Sequence, residues 1–253
     1  MVRDIRGRPP GESIELPGNI VLDPIINALR KGEETSRIWN ERNRAQPEEK
    51  EPNAFAVECA GMLPKDAVIM EIGIGSTGRD LRYFAKTLPE SRVIGVDISN
   101  EALNNTKRIA AEEGISDRIY LAQANERFLP IAGNGKLDAV YARSSLYLTH
   151  QELMKLLEYL KKALKTDGKI MIEGKSAEDV RIRRTENLGG GLSVDAGGHI
   201  RRVWTEKGIR EILIKTGFEL QDDHIGNRVE YRGGEPTTFL NFIAKAARED
   251  EQK

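Results

Sequence analysis

Apolar and polar positions change period several times along the 253-residue chain, and each change marks an element. "AVIMEI" (67–72) is a continuous apolar run, as expected for a strand covered on both faces. Leu81, Phe84, Ala85 and Leu88 then recur at helical spacing. "RVIGVD" (92–97) predicts a second strand, and "NEALNNTKRIAAEEG" (100–114) a helix closed by Gly114. Strands three and four follow at "RIYLA" (118–122) and "LDAVYA" (137–142). Thr149 and Glu152 form a capping-box pattern ahead of Leu153, Leu156, Leu157, Leu160 and Leu164, and Gly168 is expected to end that helix. "KIMIEG" (169–174) predicts strand five and "EKGIREILIKTG" (206–217) a short helix. "FELQD" (218–222) and "TFLNFIAKA" (238–246) are two last strands with no room for a full helix between them, hence an antiparallel pair.

Strands alternating with helices predict an α/β fold: a doubly wound, mostly parallel sheet of seven strands, helices on both faces, closed by a carboxy-terminal antiparallel hairpin. Residues 1–18, charged and carrying prolines and glycines, read as a mobile tail. Residues 19–64 read as amino-terminal helices forming a lid or cap that holds Trp39. The α/β domain spans 65–253, interrupted by a polar, Gly-rich insertion at 174–204.

Composition mainly excludes. The 39 Lys and Arg nearly cancel the 40 Asp and Glu, so a net charge of −1 disfavours nucleic acid and anionic membrane as partners. A single cysteine, Cys59, rules out an intramolecular disulfide and a thiolate zinc cage, and no metal site is expected. No run approaches a transmembrane length and the amino terminus has no apolar secretory core, so the chain reads as soluble and cytoplasmic.

The chemistry lies at the strand ends, where open α/β sheets bind ligands. "VIMEIGIGSTGRD" (68–80) places Gly73, Gly75 and Gly78 after strand one, a loop that lets backbone approach a ligand. Asp97 ends strand two, 19 residues past Gly78, where a carboxylate can accept from both hydroxyls of a ribose. Glu71 sets a negative charge beside the glycines, which suits an ammonium group better than a pyrophosphate.

"VIMEIGIGSTGRD", "VIGVDIS" and "LDAVYARSSLYLTHQELMKLLEYLKKALKTDGKIMIEGKS", in that order, resemble the class I S-adenosylmethionine-dependent methyltransferases, a Rossmann-like family. The resemblance runs from about residue 52 to the end and implies S-adenosylmethionine as cofactor. It implies that Gly73, Gly75, Gly78 and their backbone lie along the methionine portion, with Glu71 near its ammonium. It further implies that Asp97 takes the ribose hydroxyls and Ile98 packs on adenine. The family's acid after strand three is replaced by Asn125, beside Ala124; an Asn oxygen can still accept from the adenine amino group. Arg143 and Ser144 fall where the family lines the methyl-transfer site.

On the acceptor side, Tyr147 follows strand four, and His150 falls in the first turn of the capped helix. "EGKSAEDV" and "GHIRRVWTE" look like a branch that includes tellurite-resistance-type and small-molecule enzymes. In that branch the segment covers the site, making His199 and Arg201 acceptor-side candidates. Arg181, Arg183, Arg184, Arg201 and Arg202 are available to recognise an anionic acceptor. Trp39 is a candidate to fold over the cofactor. No catalytic residue is assigned: methyl transfer needs alignment and exclusion of water, and a base only where the acceptor must lose a proton. The expected function is methyl transfer to a small-molecule acceptor. An NAD(P)-dependent dehydrogenase shares the glycines and Asp97, and a non-catalytic protein that binds S-adenosylmethionine is the other alternative. The acceptor class is narrowed by "ARSS" after strand four, which lacks the Asn/Asp-Pro-Pro-aromatic motif of base- and glutamine-methylating enzymes.

Overall fold

The computed structural model describes residues 15–16, 20–21, 23–45, 51–127, 129, 135–194, 200–232 and 235–247. Most of the tail expected over 1–18 lies outside these; Glu15–Leu16 pairs antiparallel with Ile20–Val21. A single helix, α1 (Asp23–Ala45), occupies the region read as one or two helices, and α2 (Ala54–Ala60) follows.

The domain then alternates as its apolar periods require. β1 (Val68–Ile72) leads to α3 (Arg79–Thr87), β2 (Arg92–Asp97) to α4 (Asn100–Glu112), and β3 (Ile119–Gln123) to β4 (Leu137–Arg143). α5 (His150–Ala163) precedes β5 (Leu164–Ser176). Beyond a 3-10 turn at Ile182–Arg184 come β6 (Glu186–Gly189), β7 (Leu192–Val194) and β8 (Ile200–Trp204). α6 (Glu206–Thr216) and the long hairpin of β9 (Phe218–Arg232) and β10 (Glu235–Ala246) complete the chain.

Seven strands lie in the order β3-β2-β1-β4-β5-β10-β9. All neighbours from β3 to β5 are parallel, and β10 runs antiparallel to both β5 and β9. The expected mixed seven-stranded sheet is therefore present. Its two faces are buried differently. α2 and α3 bring Phe55, Cys59, Leu81 and Phe84 against Ile69 and Tyr141 on one face. α5 and α6 bring Leu153, Leu157, Ile209 and Leu213 against Met70, Ile72 and Phe242 on the other. Burial on both sides is why β1 reads as an unbroken apolar run.

Capping sets the helix starts. The Ser99 hydroxyl accepts from Ala102 N at 3.2 Å, and the Thr205 hydroxyl from Gly208 N at 3.1 Å. At α5 the reciprocal box forms as expected, with Glu152 N bonded to the Thr149 hydroxyl at 3.3 Å and Thr149 N to the Glu152 carboxylate at 2.8 Å.

Two expectations are corrected. α5 ends at Ala163 rather than at Gly168, because Leu164 is already extended and paired with Leu137. The intervening residues form an irregularity in the β4–β5 register, with Asp167 at φ 62°. The stretch 174–204, read as a polar, Gly-rich insertion with no strand assigned to it, contains three strands. β6 and β7 turn over Gly190 and Gly191 (φ +59° and +83°), and β8 pairs antiparallel with β7. The annex joins the main sheet through Val203↔Lys175 and Trp204↔Ser176. Gly174 permits this junction: a Cβ there would fall 2.0 Å from the Trp204 indole nitrogen.

Leu157 is 1% exposed in the core beneath α5. Leu157→Ala is expected to lower stability by about 2–5 kcal/mol, read from the midpoint of urea unfolding, with an unchanged slope.

Candidate functional site

The chain visits β2 and β3 on one side of β1 before crossing to β4 on the other, so the loops after β1 and β4 part at a topological switch point. There Gly73 (φ +76°) passes so near the β4 loop that a Cβ would lie 2.3 Å from the Ser145 Cβ. The Ser145 hydroxyl donates to Ile72 O, and Gly73 N donates to Val96 O at 2.7 Å. At Gly78 (φ +58°) a Cβ would meet the Thr106 side chain at 2.6 Å, which seats α3 on α4. Gly75 (φ +68°) is different: it is exposed, and a Cβ would meet nothing within 4 Å. Two of the glycines thus allow packing, and the third leaves backbone open to a ligand.

Three carboxylates gather around this loop. Asp97 accepts from Ser99 N at 2.8 Å and from Gly75 N at 3.3 Å. Burial pushes its pKa up to about 6, against the lowering effect of those amides. Glu71 is 2% exposed, and its Oε2 is buried with no hydrogen-bond partner. Burial, then the charges of Asp80 and Asp97, hold it well above the usual carboxylate range. Asp80, in the first turn of α3, accepts from Asn53 N at 3.0 Å and from the Tyr141 hydroxyl at 3.3 Å. Sequence reasoning missed Asp80; its place directly after "STGR" in a helix first turn was the available signal. A buried orphan carboxylate oxygen beside exposed backbone at Gly75, with Asp97 at the next strand end, fits a ligand with an ammonium group and ribose hydroxyls.

Ile98 is half-buried, and its carbonyl accepts from the Ser36 hydroxyl at 2.9 Å and from the Gln123 amide at 3.1 Å. Ala124 N donates to Asp97 O at 3.1 Å. Asn125 spends its side-chain oxygen on Arg127 N at 2.9 Å. The neighbouring Glu126, which the sequence reading passed over, is a second acid on this side: burial raises its pKa, and its charge acts on Asp97.

Past β4, Arg143 turns away from these groups. It is held by Glu173 at 2.6 Å and Glu230 at 2.7 Å, with its guanidinium 4.8 Å from the Phe239 ring. Ser144 adopts φ 51°, uncommon for a residue with a side chain, and its buried hydroxyl has no partner. The Tyr147 hydroxyl donates to Ser144 O, and burial raises its pKa, so the phenol stays protonated. Trp39 of α1 stacks on Tyr147 with centroids 6.0 Å apart and planes 17° apart. One residue along α1, Asn40 accepts from the Ser99 hydroxyl at 2.9 Å and from Glu101 N at 3.2 Å. α1 therefore bridges from the start of α4 to the loop after β4.

Arg201 is half-buried and Arg202 buried; both line a cleft with Tyr147, Glu173, Lys175 and Trp204. Arg181 pairs with Asp179, while Arg183 and Arg184 are exposed in the 3-10 turn. His150 sits at the start of α5, its N donating to Gly190 O at 2.9 Å. His199 lies outside the described residues. Cys59 is buried beneath α2, and burial pushes its thiol up, which makes it a packing residue.

Comparison with known proteins agrees with this geometry. Residues 69–168 match the family described as a methyltransferase domain. No curated protein matches the sequence. Among solved structures, an S-adenosylmethionine-dependent methyltransferase from Methanosarcina mazei is 20% identical, covering 76% of this chain and 98% of its own, with a TM-score of 0.59. A protein of echinomycin biosynthesis, where a disulfide bond is converted into a thioacetal, is 15% identical over 84% of this chain and 91% of its own, with a TM-score of 0.63. The cyclase SpnF shares the fold at 15% identity over 76% of this chain and 79% of its own, with a TM-score of 0.58. At these identities the structures establish the fold alone, and the family match concerns residues 69–168. Residues 69–168 thus read as a methyltransferase domain, set in the fold of S-adenosylmethionine-dependent methyltransferases.

Proposed function

We propose that the chain transfers a methyl group from S-adenosylmethionine to a small molecule held between α1, the β4 loop and the β6–β8 annex. The observation that carries this reading is the span of α1, bonded through Asn40 to the start of α4 and stacked through Trp39 on Tyr147. A helix across the mouth favours an acceptor small enough to be enclosed, and the net charge of −1 offers nucleic acid no attractive field. The echinomycin-pathway structure, concerned with sulfur chemistry on a small molecule, supports the same acceptor class.

In this reading Asp97 accepts the ribose hydroxyls, Glu71 faces the ammonium, and the open backbone at Gly75 lies along the methionine portion. Ile98 and Ala124 flank the adenine. Arg143 supports the wall from behind through Glu173 and Glu230 rather than meeting the cofactor. S-adenosylmethionine, when bound, supplies a methyl group already activated on a sulfonium. The chain's share is to align the acceptor and to exclude water, the latter through α1. The protonated Tyr147 hydroxyl, committed to Ser144 O, is not a base in this reading.

Incubation with methyl-labelled S-adenosylmethionine and separate pools of metabolites, proteins and nucleic acids tests the acceptor class. Label confined to the metabolite pool is expected, and label in a macromolecular pool would overturn the reading. Calorimetry is expected to show binding of S-adenosylhomocysteine and none of NAD. Asp97→Ala is expected to weaken S-adenosylhomocysteine about 100-fold, from two charge-assisted hydrogen bonds of about 1.5 kcal/mol each. Because the Asp97 pKa is raised to about 6, its carboxylate is present above that value and lost as pH falls through it. Wild-type affinity should accordingly fall as pH drops through that value, whereas in Asp97→Asn this component should be missing and only the Glu71 dependence should remain. Trp39→Ala removes an aromatic stack, and stopped-flow should show S-adenosylhomocysteine leaving about 3–10 times faster.

A further inference from the structure

The cleft beyond β4 and β5 contains a cation that no carboxylate among the described residues pairs. Arg202 is 6% exposed, yet it lines this cleft between β5 and β8. Its Nη1 donates to Leu148 O at 2.7 Å, and its Cζ lies 4.8 Å from the Trp204 ring centroid. Its Nε is buried without a hydrogen-bond partner. Among the described residues no carboxylate forms an ion pair with it, and burial alone pushes its pKa down to about 10. The carboxylate on the cleft wall, Glu173, is taken by Arg143 at 2.6 Å. Lys175 adds a second cation to the wall, with Asp179 at 3.7 Å.

A guanidinium stripped of water without a counter-charge destabilises the folded chain, so its presence in a ligand cleft calls for an anion from outside. The way it is held narrows the choice. Trp204 covers the guanidinium and Leu148 occupies Nη1, while the edge formed by Nε and Nη2 is the one Leu148 does not use. Gly191 (φ +83°) brings backbone over the guanidinium, where a Cβ would stand 3.3 Å from Nη1 and 3.4 Å from Cζ and Nη2. One planar edge framed in this way matches a planar, two-oxygen monoanion better than a tetrahedral dianion.

We infer that the methyl acceptor carries a carboxylate, which Arg202 grips through its Nε–Nη2 edge in the cleft between β5 and β8; this rests on the reading of that cleft as the acceptor side. The carboxylate is the handle by which the acceptor is oriented. Arg201 and Lys175 draw it in, and the atom to be methylated then points back toward Ser144 and the cofactor side.

The test uses the full chain saturated with S-adenosylhomocysteine, with benzoate as probe, benzamide as its neutral counterpart and inorganic phosphate as the tetrahedral control. Benzoate should bind saturably and raise Tm, with benzamide and phosphate inert. Arg202→Met should weaken benzoate about tenfold or more while S-adenosylhomocysteine affinity is kept and ligand-free Tm holds or rises. Arg202→Lys, which retains the charge without the fork, should fall between the two. Equal benzoate binding in wild type and Arg202→Met would overturn the inference, as would no benzoate binding in wild type or a preference for phosphate. If Arg202→Met loses its fold, Arg202→Lys decides: benzoate affinity equal to wild type there would also overturn it. Wild type that fails to bind S-adenosylhomocysteine would instead sink the methyltransferase reading itself.

Discussion

The carboxyl edge of the sheet is organised by the approach of Gly73 to Ser145, where the β1 and β4 loops part. With no Cβ on Gly73 the two loops can touch, and the Ser145 hydroxyl can reach Ile72 O. That contact fixes where β1 releases its chain, and so where Gly75 opens and where the Asp97 carboxylate can reach its amide. It also fixes the start of the β4 loop, whose next residues carry Tyr147 and the α5 cap. A larger residue at 73 would push apart the two halves of the edge rather than leave a local blemish.

Electrostatics divides that edge along the same line. Glu71, Asp80 and Asp97 sit on the β1–β2 side, and burial raises the pKa of each. Lys175, Arg201 and Arg202 sit on the β5–β8 side. Charges of one sign crowded in a poorly solvated region are costly, and opposite charge from a ligand offsets the cost. The acidic side suits the cationic donor, and the basic side an anionic acceptor. Arg143 lies between them, paired with Glu173 and Glu230, and Glu173 also faces Arg228 at 3.7 Å.

Much of this was legible in the sequence, and what was not has identifiable causes. β1 and β2 could be read almost to the residue, because strands buried on both faces leave unbroken apolar runs. Glu71, Asp97 and the glycines could be read because strand ends and positive φ restrict residue choice. The end of α5 could not: Leu164 keeps helical spacing from Leu160 while belonging to β5. The three annex strands have almost no pattern of their own, since they exist by pairing with each other and with the tip of β5. Arg143 sits at a strand end like a site residue, and the partners that hold it, Glu173 and Glu230, lie 30 and 87 positions later. Asn40 and Ser36 lie on a helix whose docking place nothing local specifies.

The annex has a consequence for how such a site can change. Among the described residues it meets the main sheet through two residue pairs, Val203↔Lys175 and Trp204↔Ser176, yet brings Arg201 and Arg202 to the cleft. It also lies beyond the span 69–168 that matches the methyltransferase family. The annex that carries Arg201 and Arg202 is thus joined to the scaffold by a short stretch of backbone, apart from Gly75 and Asp97. Its turns can lengthen, shorten or change charge without disturbing β1 or β2, so specificity in this architecture can drift while the donor side stays fixed.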